Sequence, residues 1–224
     1  MLSIFMAVFA GQDLFAQRLI GARIGMCIYQ GDLIKEDFDI AQSYVGTGGF
    51  VEWHIVPQLA FQVSGNALRI SGNDRKYEER SNPGRYKRAI KMDNLLLDIS
   101  AKAVYYPFYK NSPKSGAMLD AGLQPYIGVG LALPLNFHQI TDQNLDDGLQ
   151  NFDAEQLFLA IPISFGYQVF FNNRFGVGLE LQSTFTLNDE SLDGYGHPGS
   201  ANNDLYHFFS VNFVYNLGKS SKKT

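Results

Sequence analysis

FGVGLELQSTFTLN, Phe175 to Asn188, is the stretch whose reading decides the fold. Its odd positions are Phe175, Val177, Leu179, Leu181, Ser183, Phe185 and Leu187. Its even positions are Gly176, Gly178, Glu180, Gln182, Thr184 and Thr186. Side chains on a strand alternate between faces with period two, so one face here is apolar and the other polar or bare. In a soluble sandwich the apolar face would meet another, and Val177, Leu179, Leu181 and Phe185 would lie in a core. In a membrane barrel the same face meets lipid, and the polar face closes the interior.

The same test finds seven further strands, giving segments near 18–30, 43–55, 58–71, 90–107, 122–135, 156–171, 175–187 and 204–217. In the fifth, Leu123, Ile127, Val129, Leu131 and Leu133 alternate with Gln124, Gly128, Gly130 and Ala132. In the eighth, Leu205, Phe209, Val211, Phe213, Tyr215 and Leu217 alternate with Ser210, Asn212 and Asn216. The strong strands run to about ten to fourteen residues, the length that crosses a bilayer at a tilt and longer than the usual five or six.

Connection lengths carry independent information. Val56–Pro57 and the NNR at 172–174 are very short, whereas long polar segments follow the first, third, fifth and seventh strands. Short turns at one rim and long loops at the other describe an up-and-down transmembrane barrel with a periplasmic and an extracellular side. The exception is FYKNSPKSGAMLDAG, which sits on the short-turn side yet is long. It offers a periplasmic docking segment, with Lys110, Lys114 and Asp120 as candidate partner contacts. Trp53, Tyr105, Tyr106, Phe108, Phe170, Phe171, Phe175 and Tyr215 all fall at the short-turn ends, and those facing lipid would form an interfacial girdle.

Bulk properties agree with one all-β domain. The chain has 224 residues, 22 of them Gly, 18 Phe and 12 Tyr, a mixture that suits strands and tight turns. No run of about 18 apolar residues marks a transmembrane helix, and barrels escape such windows because half of each strand is polar. The net charge of −4 and the lack of a basic stripe argue against a nucleic-acid partner. The single cysteine, Cys27, lies within an alternating strand and reads as a packed thiol. MLSIFMAVFAGQDLFAQ reads as an export signal without its basic start, so residues 1–17 are expected to be a signal peptide, 18–217 the barrel and 218–224 a basic tail.

Strand parity directs Arg23, Glu52, Asp98, Lys102 and Glu180 into the lumen. Buried charges of mixed sign are costly unless they pair, and an eight-stranded barrel is just wide enough for side chains to fill. A closed polar core is therefore expected, with no open channel. The four histidines, His54, His138, His197 and His207, share no compact hydrolase motif, and His207 and Ser210 take opposite faces. No catalytic residue, cofactor or metal site is expected. The DQNLDDG segment at 142–148 places its Gly one position late for a calcium loop and reads as a solvated acidic loop.

Several segments resemble a known family. IYQGDL at 28–33, YYPFYK at 105–110, QPYIGVGLALPLNF at 124–137, AIPISFGYQV at 160–169 and LELQSTFTLNDESLDG at 179–194 look like corresponding parts of PorG proteins. These are small outer-membrane barrels of the bacterial type IX secretion apparatus. Where that family usually carries an Arg in the penultimate strand, this chain has Ser183 and Thr184. The resemblance implies a non-enzymatic barrel in the outer membrane, bathed in its lipid, that anchors or organises secretion machinery through periplasmic ring proteins. The alternatives are a lipid-modifying outer-membrane enzyme and a surface adhesion or stability barrel acting through its outer loops.

Overall fold

The period-two pattern at 175–188 becomes one stave of a closed antiparallel barrel. The computed structural model describes residues 17–30, 43–73, 90–108, 122–137, 140–142, 157–172, 174–187, 192 and 204–217. Its strands are β1 (Gln17–Gln30), β2 (Tyr44–Val56), β3 (Leu59–Asn73), β4 (Ile90–Tyr105), β5 (Gln124–Phe137), β6 (Ile140–Asp142), β7 (Ala160–Phe170), β8 (Phe175–Thr186) and β9 (Leu205–Asn216). Each long strand pairs with its sequence neighbour. β1 then pairs with β9, closing the sheet into eight staves with no free long edge.

The short β6 is not a ninth stave. Leu95 pairs with Phe137 and Met92 with Ile140, so β6 carries on the β5 register along the same side of β4. Between β5 and β7 the ladder runs from Gln124↔Gln168 to Val129↔Ile163 and resumes at Ala132↔Ala160. Pro162, which has no amide proton to donate, stands in the gap.

Burial follows the parity. On β8 the even residues are buried, with Glu180 at 1% exposure, while Leu181 and Phe185 outside are 36% and 42% exposed. The sandwich expectation, with those two in a core, is excluded. Around the barrel Ile20, Ile24, Ile99, Val129, Leu131 and Phe213 form part of a continuous exposed apolar belt. Such a surface far exceeds what a water-soluble monomer presents, and lipid is the solvent that fits it. Among the described residues no helix is long and apolar enough to cross a membrane, so the crossing is made by strands.

The two rims differ as the connection lengths imply. At the short-turn rim, Pro57–Gln58 joins β2 to β3, with a register shift between His54 and Val56. The Asn172 side-chain oxygen accepts from the Arg174 and Phe175 amides at 2.8 and 2.7 Å, which turns β7 tightly into β8. Trp53 stacks on Phe61 at 6.1 Å, and Phe175 meets Tyr215 at 5.0 Å, forming part of the girdle. Tyr106 and Phe170 instead turn inward and are buried. β7 also starts later than the 156–171 that the pattern suggests. Leu157 makes only an isolated bridge to Leu135, and regular pairing begins at Ala160.

The segments expected to be a signal peptide and a basic tail lie outside the described residues, apart from Gln17. So does the connection bearing Lys110, Lys114 and Asp120.

Candidate functional site

The lumen at mid-height is filled by one connected polar network. Arg23 from β1, Glu52 from β2, Asp98 and Lys102 from β4 and Glu180 from β8 are each no more than 1% exposed. Glu180 Oε1 accepts from Arg23 Nη1 at 3.1 Å and from Lys102 Nζ at 3.0 Å. Its Oε2 accepts from the Tyr126 hydroxyl at 2.7 Å. Lys102 spends its other two donors on Gln182 at 2.9 Å and Ser164 at 3.3 Å, so all three ammonium protons have acceptors.

From this centre the network extends in two directions. Arg23 Nη2 donates to Gln62 at 3.4 Å, and Gln62 Nε2 donates to Glu52 at 3.0 Å. Glu52 also accepts from the Tyr106 hydroxyl at 2.8 Å, with His54 Nε2 3.0 Å from the same oxygen. On the other side Gln182 Nε2 donates to Asp98 at 3.3 Å. The Arg23 guanidinium lies 4.7 Å above the Phe50 ring, which adds a cation–π contact to its ion pair. Two cations thus face three carboxylates, and every one of the five parity-selected charges belongs to the same set of contacts.

Local sequence makes room for this. Tyr126 on β5 pairs with Gly166 on β7, and Gly166 pairs with Glu180 on β8. A Cβ at Gly166 would run into the Tyr126 ring. The bare glycine therefore lets the phenol lie across an entire stave and reach the carboxylate. At Gly21 a Cβ would meet the Phe50 ring in the same way, beneath Arg23.

Toward the long-loop rim the lumen changes character. Cys27, Tyr29, Leu68, Ile70, Met92, Leu96, Phe158, Tyr206 and Phe208 make an apolar layer that also holds Leu192. Leu192 belongs to the β8–β9 connection and is fully buried. Its carbonyl accepts from Asn94 at 2.6 Å and from Asn136 at 3.3 Å, and its amide donates to Asp204 at 3.1 Å. The other Asp204 oxygen accepts from Tyr29 at 2.9 Å. One residue of an outer loop is thus pinned inside the mouth. In sequence the segment NDESLDG at 188–194 carries only acidic charged residues, and its only signal for this role is a lone leucine among them.

A second arrangement escaped the sequence reading. Ser183, His207 and Gln30, on the outward faces of β8, β9 and β1, form a row. Ser183 Oγ lies 2.8 Å from His207 Nδ1, and His207 Nε2 lies 3.1 Å from Gln30 Oε1. The tautomer that satisfies both contacts carries its proton on Nε2, so serine donates to Nδ1 and Nε2 donates to the glutamine. The order resembles a hydrolytic triad with an amide where the carboxylate belongs. A neutral amide cannot stabilise an imidazolium as a carboxylate does, and such a replacement in a serine protease lowers turnover about 10⁴-fold. Among the described residues no group of three His, Cys, Asp or Glu side chains is placed to hold a metal.

Comparison with known proteins places the fold. No curated protein matches the sequence. Among solved structures, Ail, the attachment invasion locus protein of Yersinia pestis, in complex with the heparin analogue sucrose octasulfate, is 9% identical. The match covers 90% of this chain and 98% of that one, with a TM-score of 0.50. The outer membrane protein OprG from Pseudomonas aeruginosa is 12% identical over 92% of this chain and 98% of its own, with a TM-score of 0.46. The outer membrane enzyme PagL is 15% identical over 88% and 97%, with a TM-score of 0.43. At these identities the likeness is one of fold alone. The closed barrel and its apolar belt together place the protein across the outer membrane. The family model described as a domain of unknown function, DUF6089, matches residues 1–220, and the chain belongs to that family.

Proposed function

We propose that this protein is a non-enzymatic outer-membrane barrel that anchors or organises type IX secretion machinery through periplasmic partner proteins. The observation that carries the anchoring half is the lumen: Arg23, Glu52, Asp98, Lys102 and Glu180 are all engaged with one another or with neighbouring amides and hydroxyls. Charges committed in this way fill the lumen at mid-height rather than lining a water-filled channel. Function then rests with surfaces outside the bilayer. The secretion half is supported by the likeness of 105–137, 160–169 and 179–194 to PorG barrels, and by the long connection on the short-turn side.

The test is a mild-detergent purification of the tagged barrel from outer membranes, comparing wild type with a variant shortened within 109–121. Periplasmic ring proteins are expected to copurify with the wild type and to be lost from the shortened, still folded barrel. Absence of ring proteins from both would remove the secretion role and leave the barrel.

A further inference from the structure

Besides the lumen, the described residues form an open groove on the outer surface that calls for an occupant. It lies near the short-turn rim, has a volume of about 530 Å³ and is walled by Ile20, Ala22, Phe175, Val177, Phe213 and Tyr215. That size lies within the range of small-molecule sites, about 300–1,000 Å³. Its origin is local. Ala22 pairs with Phe213, and Phe175 leans on Tyr215 at 5.0 Å with the rings tilted at 59°, so a methyl group forms the floor while the two rings form a wall. The groove lies inside the apolar belt, where acyl chains are the available solvent.

Its mouth is basic. Arg18 lies two residues before Ile20 on the same outward face of β1, and Arg174 immediately precedes Phe175. The Leu217 amide donates to the Arg18 carbonyl at 2.8 Å, and the Asn216 amide donates to the Arg174 carbonyl at 2.7 Å. The two arginines therefore flank the end of β9 at one rim, directly beyond the groove. Neither pairs with a carboxylate among the described residues. Arg69, the outward arginine at the opposite rim, is by contrast held by Asp93 through two hydrogen bonds of 2.8 and 2.6 Å.

We propose that this groove and the Arg18–Arg174 pair form a binding site for an anionic phospholipid of the periplasmic leaflet. One acyl chain lies along Ala22 between the Ile20 and Phe213 walls, and the phosphate is held by the two guanidinium groups. Guanidinium suits that role because its planar fork donates to phosphate oxygens bidentately. The apolar wall supplies affinity through contact and the arginines supply headgroup selectivity. This site is independent of the secretion role.

Native mass spectrometry of the refolded barrel, released from non-ionic detergent, tests it with three probes: phosphatidylglycerol, diacylglycerol and glycerol phosphate. Phosphatidylglycerol is expected to give one saturable adduct at low concentration, diacylglycerol to bind about tenfold more weakly, and glycerol phosphate not to compete. The double variant Arg18→Gln, Arg174→Gln should bind phosphatidylglycerol no better than diacylglycerol. Ala22→Leu, which fills the floor from the lipid side, should weaken both lipids. A heat-dependent electrophoretic shift checks that each variant is folded. Wild-type binding by the double variant, or a graded series of lipid adducts unaltered by either variant, would overturn the site. Displacement by glycerol phosphate alone would reduce it to a simple anion contact and would equally overturn the lipid assignment.

Discussion

The side-chain amide of Asn94 on β4 donates to the backbone carbonyl of Leu192 at 2.6 Å, so a strand residue holds an outer-loop residue inside the barrel mouth. Loss of that donor leaves a buried carbonyl with the weaker 3.3 Å contact from Asn136. Asn94→Ala is expected to raise amide exchange at Leu192 by about ten- to a hundredfold, matching the roughly 1–3 kcal/mol of an under-satisfied buried group. Hydrogen–deuterium exchange in detergent micelles reads this directly, and unchanged protection at Leu192 would deny the latch.

Glu180 is the common acceptor of both lumen cations. Glu180→Ala strands Arg23 and Lys102 side by side in a low-dielectric interior, and the expected loss is about 3–5 kcal/mol in urea unfolding from lipid vesicles. A quintuple variant with Arg23, Glu52, Asp98, Lys102 and Glu180 all replaced by apolar residues of similar volume should lose far less per charge removed, because removing a whole buried charge set is often close to neutral.

Gly166 tests the geometry rather than the charge. Gly166→Ala places a methyl group in the path of the Tyr126 ring and displaces its hydroxyl from Glu180, with an expected loss of about 1–3 kcal/mol. Gly65→Ala serves as the control. A Cβ there meets open space on the outer face, and stability should change by no more than about 0.5 kcal/mol.

The Arg69–Asp93 pair stands at the long-loop ends of β3 and β4, beyond the apolar run that begins at Leu95. Hydrogen bonds from Arg69 hold the Asp93 carboxyl below the usual carboxylate range, against some desolvation. A carboxyl with a lowered folded-state pKa contributes stability that is present above its unfolded value, near 3.9. The contribution is lost as pH falls through the folded value. Wild type should therefore exceed Asp93→Asn only slightly at pH 7, since exposed pairs contribute little, and converge on it only at a pH below the folded value, which itself lies under the ordinary carboxylate range. Parallel urea titrations at both pH values measure the convergence.

The Ser183–His207–Gln30 row should be chemically quiet. A fluorophosphonate probe is expected to leave Ser183 unlabelled in the folded barrel, and Gln30→Glu is the variant that would be needed to complete the triad order. Labelling of wild-type Ser183 would reopen the lipid-modifying alternative.

Much of this protein was legible from its residues one at a time. The alternation in 175–188, and its repeats in the other strands, selected the membrane barrel because period two reports which face each side chain takes. The same parity delivered Arg23, Glu52, Asp98, Lys102 and Glu180 to the lumen. Aromatic positions were less certain guides taken by rim alone: Tyr106 and Phe170 sit at the same rim as Phe175, yet the parity that turns Lys102 and Gln168 inward turns them inward too.

What the sequence alone determined was facing, and what only the tertiary structure decided was partnership. Parity is a property of one strand, whereas contact across staves depends on register, closure and the gaps left by missing side chains. That is why Tyr126 reaches Glu180 over Gly166, why Ser183 meets His207 rather than His207 meeting Ser210, and why Leu192 leaves an acidic loop for an apolar mouth. Ser183 and His207 lie on two paired staves and Tyr126, Gly166 and Glu180 on three, so register decides those contacts, whereas Leu192 meets Asn94 inside a lumen that only the closure of β1 on β9 encloses.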